Sequence, residues 1–102
     1  MRDIVRERLG ELRRLCEKHH ARRLELFGSA AHGDVALESN DLDFLVEFED
    51  LSPASHAASY FGLLADLEDL FRLPIDLIEI QAIRNPYFLQ EVERTRMLLY
   101  AA

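Results

Sequence analysis

The sequence predicts an α/β layer fold, a small mixed β-sheet flanked by helices. Three observations lead to it. Apolar residues recur at helical spacing in the first 20 residues and again around residues 60–71. Two apolar runs, residues 41–48 and 75–80, have strand character. Helical and strand stretches alternate along a chain of 102 residues, the length of one small domain with one core.

Residues 3–19 read as an amphipathic helix. Val5, Leu9, Leu12 and Cys16 form its apolar stripe, and Ile4 and Leu15 widen it. The arginines and glutamates between them give a solvated face. Residues 22–27 read as a strand with Leu24 and Leu26 on one side. Gly28-Ser29 ends it; residues 30–32 fit a short helical turn with Ser29 as N-cap, and residues 33–40 read as a loop.

Residues 41–48 read as the second strand, with Leu42, Phe44, Val46 and Phe48 on one face. Ser52 and Pro53 open a helix, the serine as N-cap and the proline in the first turn. Tyr60, Leu64, Leu67 and Phe71 carry it to about residue 71, and Tyr60, Phe61 and the neighbouring leucines are expected in the core. Pro74 keeps the next segment from being helical, and residues 75–80 read as a third strand. Asn85-Pro86 opens a last helix through about residue 93. The tail from Met97 to Tyr100 fits a strand or a docked extension. There is no repeat, low-complexity stretch or linker, so residues 1–102 are expected to form one domain.

Composition narrows the function classes. An apolar share of 49% supplies a packed core and argues against disorder. No apolar stretch approaches the roughly 20 residues that cross a bilayer. The charged, periodic start does not read as a secretion signal. Cys16 is the single cysteine and fits a small core residue, so a cytoplasmic location is expected. A net charge of −7 disfavours direct binding to nucleic acid. It leaves room for a nucleotide whose phosphates a metal neutralises. Lys18 is the only lysine, and none follows a glycine-rich loop, which argues against a P-loop NTPase. His19-His20 has no second cluster at ligand spacing and reads as surface. The Arg13-Arg14 and Arg22-Arg23 pairs read as solvated faces.

The chemistry concentrates around Asp41 and Asp43. Residues i and i+2 of a strand point to the same side, so both carboxylates project together, opposite the apolar face. Like charges held side by side are costly unless a cation lies between them. Hard divalent ions such as Mg²⁺ are held by one or two carboxylates plus substrate phosphates. Asp76, flanked by Ile75 and Leu77, is an expensive place for a carboxylate without a partner. If its strand lies beside the second, it faces the same ion. Three carboxylates around two metals suit in-line displacement at phosphorus. Gly28 lets backbone approach a phosphate, and Ser29 offers a hydroxyl and an N–H at a helix start.

Each part also has a plainer reading. Gly-Ser after a strand is commonly a turn with a helix cap. Asp-x-Asp is commonly a solvated loop edge, and Asp76 fits a satisfied core polar group. A calcium loop needs a glycine after Asp43, where Phe44 stands. His32 lies in the presumed phosphate loop with no clear role.

Taken together, Phe27-Gly28-Ser29, Asn40-Asp41-Leu42-Asp43-Phe44-Leu45-Val46 and Pro74-Ile75-Asp76-Leu77 resemble the minimal nucleotidyltransferases of the DNA polymerase β superfamily. These are MNT-type proteins, often encoded beside a HEPN ribonuclease toxin as its antitoxin. The resemblance spans nearly the whole chain, including Arg84-Asn85-Pro86-Tyr87 and Leu98-Leu99-Tyr100. It implies a polymerase-β-like core and a nucleoside monophosphate transfer, typically of AMP from ATP. It assigns triphosphate binding to Gly28 and Ser29. It makes Asp41, Asp43 and Asp76 the catalytic carboxylates and ligands of two Mg²⁺ ions, with Mn²⁺ as a substitute. In toxin-paired members the acceptor is a tyrosine of the partner.

Two departures from the family pattern stand out. Arginines common after Gly-Ser are replaced by Ala30, Ala31 and His32. The usual serine before the first aspartate is Asn40, with Ser39 one place earlier. Both bear on nucleotide affinity, and neither removes a carboxylate. A chain this short has little room to cradle an acceptor, and transfer depends on positioning two reactants. A protein partner, such as a HEPN-type toxin, or self-association is therefore expected. The alternative is a catalytically weak binding module of the same fold that neutralises its partner by contact.

Overall fold

A computed structural model describes residues 2–28 and 41–102. Four strands form one sheet in the order β3-β2-β1-β4, with β1 Ala21–Phe27, β2 Leu42–Phe48, β3 Ile75–Glu79 and β4 Met97–Ala101. The sheet is mixed. β1 runs antiparallel to both β2 and β4, while β2 and β3 are parallel. The parallel pair needs a crossover, supplied by the long helix α3, Pro53–Phe71. The predicted α/β layer fold is what the chain adopts.

The local signals behind these elements are visible in the structure. Ser52 caps α3 by accepting from the Ser55 amide at 3.3 Å, with Pro53 next to it. The cap at its other end is Arg72, in the left-handed region at φ 56°. Asn85 caps α4, Pro86–Thr95, by accepting from the Tyr87 and Phe88 amides at 2.9 and 3.2 Å. The tail is a strand, β4, paired to β1.

Period-2 alternation divides the sheet into two faces. Leu24, Leu26, Leu42, Phe44, Val46, Phe48 and Leu77 face the main core. There they meet Val5, Leu12 and Cys16 from the N-terminal helices and Leu63, Leu67 and Phe71 from α3. The opposite face carries a smaller cluster. Phe27 and Leu45 lie under Val92 of α4, with Ile78, Ile80 and Ile83 around them. Cys16 is buried, and that burial pushes its thiol up to about 12, so it packs as an apolar residue.

Four expectations need correction. The predicted N-terminal helix is two, α1 Asp3–Arg6 and α2 Leu9–Lys18, because the backbone leaves helical geometry at Arg8, φ −112° and ψ 13°. That break shifts the phase of the stripe. Val5, Leu12 and Cys16 are fully buried, but Leu9 is 36% exposed. In α3 the deepest stripe is Leu63, Leu67 and Phe71, with Tyr60 and Leu64 at its margin. Phe61 falls on the outer phase and is 65% exposed, its ring set edge-on to Tyr60 at 5.2 Å. His19 is not a surface residue: its ring is 13% exposed and Nε2 lies 2.6 Å from Asp66 Oδ2 of α3. His20 beside it is exposed. Lastly, residues 75–80 divide into β3 and a single 3₁₀ turn, Ile80–Ala82. Among the described residues, no helix is long and apolar enough to cross a membrane.

Candidate functional site

Two strand pairings set the site. Asp43 of β2 sits opposite Asp76 of β3 in the parallel ladder and opposite Phe27 of β1 in the antiparallel one. Directly paired residues share a face, with Cβ atoms about 5 Å apart. Asp43 and Asp76 therefore stand side by side on the face that carries Phe27 and Leu45. They lie beyond the edge of the small apolar cluster, at the end where β1 runs into Gly28.

Gly28 is the third part of this corner. Its φ is +75°, a left-handed conformation that glycine adopts without strain. A Cβ placed there would lie 2.7 Å from Asp43 Oδ2. The missing side chain is thus the space that the Asp43 carboxylate occupies. Among the described residues, the turn's close approach is to the Asp43 carboxylate. The Gly28 N–H is engaged as well, donating to Thr95 Oγ1 at 2.9 Å.

The carboxylates are electrostatically coupled. Asp43 is half-buried, and its pKa is pushed up to about 6. Burial is the first cause, followed by the hydrogen bond with Asp76 and then by the charges of Asp76 and Asp41. A hydrogen bond between two carboxyl groups requires a proton on one of them. Above its raised pKa, the Asp43 carboxylate adds negative charge beside Asp76 and Asp41. Asp41 lies just before β2 and is exposed, acting on Asp43 through its charge. Asp76 is also exposed, at an edge strand. The expectation of an expensive buried position for Asp76 is therefore wrong. An edge strand leaves one side of the residue open to solvent.

Among the described residues, no group of three or more His, Cys, Asp or Glu side chains closes into a metal cage. The donor set is a close carboxyl pair with a third carboxylate nearby. Hard oxygen donors, uncompensated charge and an open outer side fit a divalent cation completed by substrate phosphates. Ser29, the other predicted site residue, lies outside the described residues, as do residues 30–40.

One residue at the site was missed in the sequence. Thr95, in the last turn of α4, is 3% exposed; its hydroxyl accepts from Gly28 and donates to the Glu91 carbonyl at 2.8 Å. No local pattern announces it, because the contact spans 67 residues. Next to it, Arg96 forks onto Glu25 of β1. Its Nε lies 2.8 Å from Oε2 and its Nη2 2.7 Å from Oε1. Arg23 adds a bond of 2.8 Å to the same carboxylate. Glu25 is 3% exposed, and Arg96 is the first cause of its depressed pKa. This ion pair pins the end of α4 to the sheet.

Residues 11–102 match the family described as Polymerase beta, Nucleotidyltransferase. A Methanocaldococcus jannaschii protein named "Putative protein adenylyltransferase" is 37% identical over 79 residues, which cover 78% of this chain and 77% of that protein. A solved structure described as a "putative minimal nucleotidyltransferase" superposes with a TM-score of 0.66 at 30% identity, covering 95% of both chains. The fold also recurs in a tri-AMPylated Shewanella oneidensis HEPN toxin complex with its MNT antitoxin. There the TM-score is 0.64 at 17% identity, over 96% of this chain and 73% of the other, a likeness of fold alone.

Proposed function

This chain belongs to the polymerase beta nucleotidyltransferase family, and on that premise we propose that it transfers AMP from ATP to a hydroxyl of a partner protein, in a reaction that needs a divalent metal. The observation that carries this reading is the Asp43–Asp76 register pair packed against Gly28. Two carboxyl groups held together, with the Asp43 pKa raised and Asp76 open to solvent, suit the binding of Mg²⁺–ATP.

Asp43, held between the Gly28 turn and Asp76, would fix the metal side of the triphosphate, with Asp41 joining from the exposed approach to β2. Ser29 would bind the triphosphate, as the family resemblance implies. Mg²⁺ held there supplies Lewis-acid polarisation of the phosphate oxygens. Asp76, on the exposed side of the pair, would face the acceptor and take the proton of its hydroxyl. The new bond forms between that oxygen and the α-phosphorus. The bond to the β-phosphate oxygen breaks, and pyrophosphate leaves. In this reading the partner provides the surface that positions its own hydroxyl.

The relative named for protein adenylylation and the fold likeness to the MNT antitoxin support a protein acceptor. The role that follows is that of a cytoplasmic antitoxin which silences a HEPN-type toxin by adenylylation. The test is intact-mass spectrometry of the partner after incubation with this protein, ATP and Mg²⁺. An added adenylate that chelator prevents is the expected result. A partner that stays unmodified yet is inhibited equally by wild type and by a triple Asp41, Asp43 and Asp76 variant would instead establish neutralisation by contact. The replacement of the loop arginines by Ala30, Ala31 and His32 is what favours that second reading.

A further inference from the structure

Gly28 owes its position to a residue that does not belong to the loop or to the carboxylate cluster. Thr95 is buried, and its hydroxyl makes two hydrogen bonds. It donates to the Glu91 carbonyl one turn earlier in α4, which orients its lone pairs toward β1. The Gly28 N–H then donates to it at 2.9 Å. Gly28 is left-handed at +75°, and its absent Cβ would sit 2.7 Å from Asp43 Oδ2. One hydroxyl thus ties the end of α4 to the backbone turn that borders the Asp43 carboxylate. The Arg96–Glu25 fork, on the next residue, keeps that helix end on the sheet.

We propose that Thr95 is a positioning residue of the site: by holding the Gly28 amide it sets the turn against Asp43, and so sets where that carboxylate meets the metal–nucleotide complex. Its consequence for nucleotide binding rests on the transferase reading above. In this structure the Gly28 amide is engaged by Thr95.

Thr95→Val keeps the shape and removes the hydroxyl, while Thr95→Ser keeps the hydroxyl and removes a methyl. Val5→Ala, remote on α1, serves as a control for general destabilisation. Gly28 amide hydrogen exchange and ATP affinity in Mg²⁺ are measured for each, with thermal melting as the check of folding. Thr95→Val is expected to speed Gly28 exchange and weaken ATP binding about tenfold, the size of one lost hydrogen bond. Thr95→Ser should do neither, and Val5→Ala should lower the melting temperature with no change in affinity. A folded Thr95→Val protein with unchanged Gly28 protection overturns the proposal. So does a loss of affinity that Val5→Ala reproduces at equal stability. If wild type itself fails to bind ATP with Mg²⁺, the transferase reading falls. The proposal is then decided by Gly28 exchange and the Asp43 carboxyl chemical shift, which Thr95→Val must alter and Thr95→Ser must not.

Discussion

Asp43 and Asp76 occupy the same register position on adjacent parallel strands, although 32 positions after Asp43 pass before the chain returns to Asp76. Their nearness is built by a crossover, and it places two like charges in one corner.

That corner destabilises the fold in the absence of a cation. Asp43 has a folded pKa raised from 3.8 to about 6. Below its unfolded value the group is neutral in both states and carries no penalty. As pH rises from about 4 to about 6, the unfolded chain releases its proton first, so stability falls. Asp43→Asn should remove this slope and gain about 1 kcal/mol at pH 7, allowing for solvent screening at a half-buried position. Urea melts of both proteins in chelator, at pH 4 and pH 7, check it. A gain of equal size at both pH values would contradict the electrostatic cause.

Gly28→Ala should act on the site more than on the fold. A left-handed alanine costs on the order of 1 kcal/mol. The new Cβ would meet Asp43 Oδ2 at 2.7 Å, and the carboxylate is the more easily moved of the two. The expected outcome is a folded protein with ATP affinity in Mg²⁺ reduced at least tenfold by calorimetry. Retained affinity would mean that Asp43 does not need its present place.

Arg96→Met should cost about 2 kcal/mol, less than a fully orphaned buried charge because Arg23 remains on Glu25. The sign of the pH effect is opposite to that of Asp43. Glu25 has a depressed folded pKa, caused first by Arg96. Its stabilisation is present above the ordinary value of 4.5 and is lost as pH falls through the folded one. Arg96→Met should therefore flatten the acid limb of a stability–pH curve, which denaturant melts between pH 3 and 6 would reveal.

The three aspartates should separate in kinetics. Asp76→Ala should lower the rate of transfer more than ATP binding, since the proposed mechanism has the exposed Asp76 face the acceptor. Asp41→Ala and Asp43→Ala should impair both. Ser29→Ala should weaken ATP binding by about 1–3 kcal/mol if a charge-assisted hydrogen bond is lost. Parallel calorimetry and single-turnover transfer with the partner distinguish these effects. Equal losses in binding for all three would remove the distinct role of Asp76.

What the sequence by itself determined is what short-range physics controls. Ser52-Pro53 and Asn85-Pro86 cap helices with their own side chains, so both helix starts are legible. The alternation of Leu42, Phe44, Val46 and Phe48 places Asp43 on the other face before any fold is known. The motif around Gly28, Asp41, Asp43 and Asp76 was likewise legible as a resemblance. Only the tertiary structure decided the rest. A break at Arg8 put Leu9 outside the core, a change of phase that composition does not announce. The β2–β3 register brought Asp43 to Asp76, and contacts across 67 and 71 residues joined Thr95 to Gly28 and Arg96 to Glu25. Such pairs have no spacing to be read, because the distance between their partners is set by how helices and strands pack and not by their order along the chain.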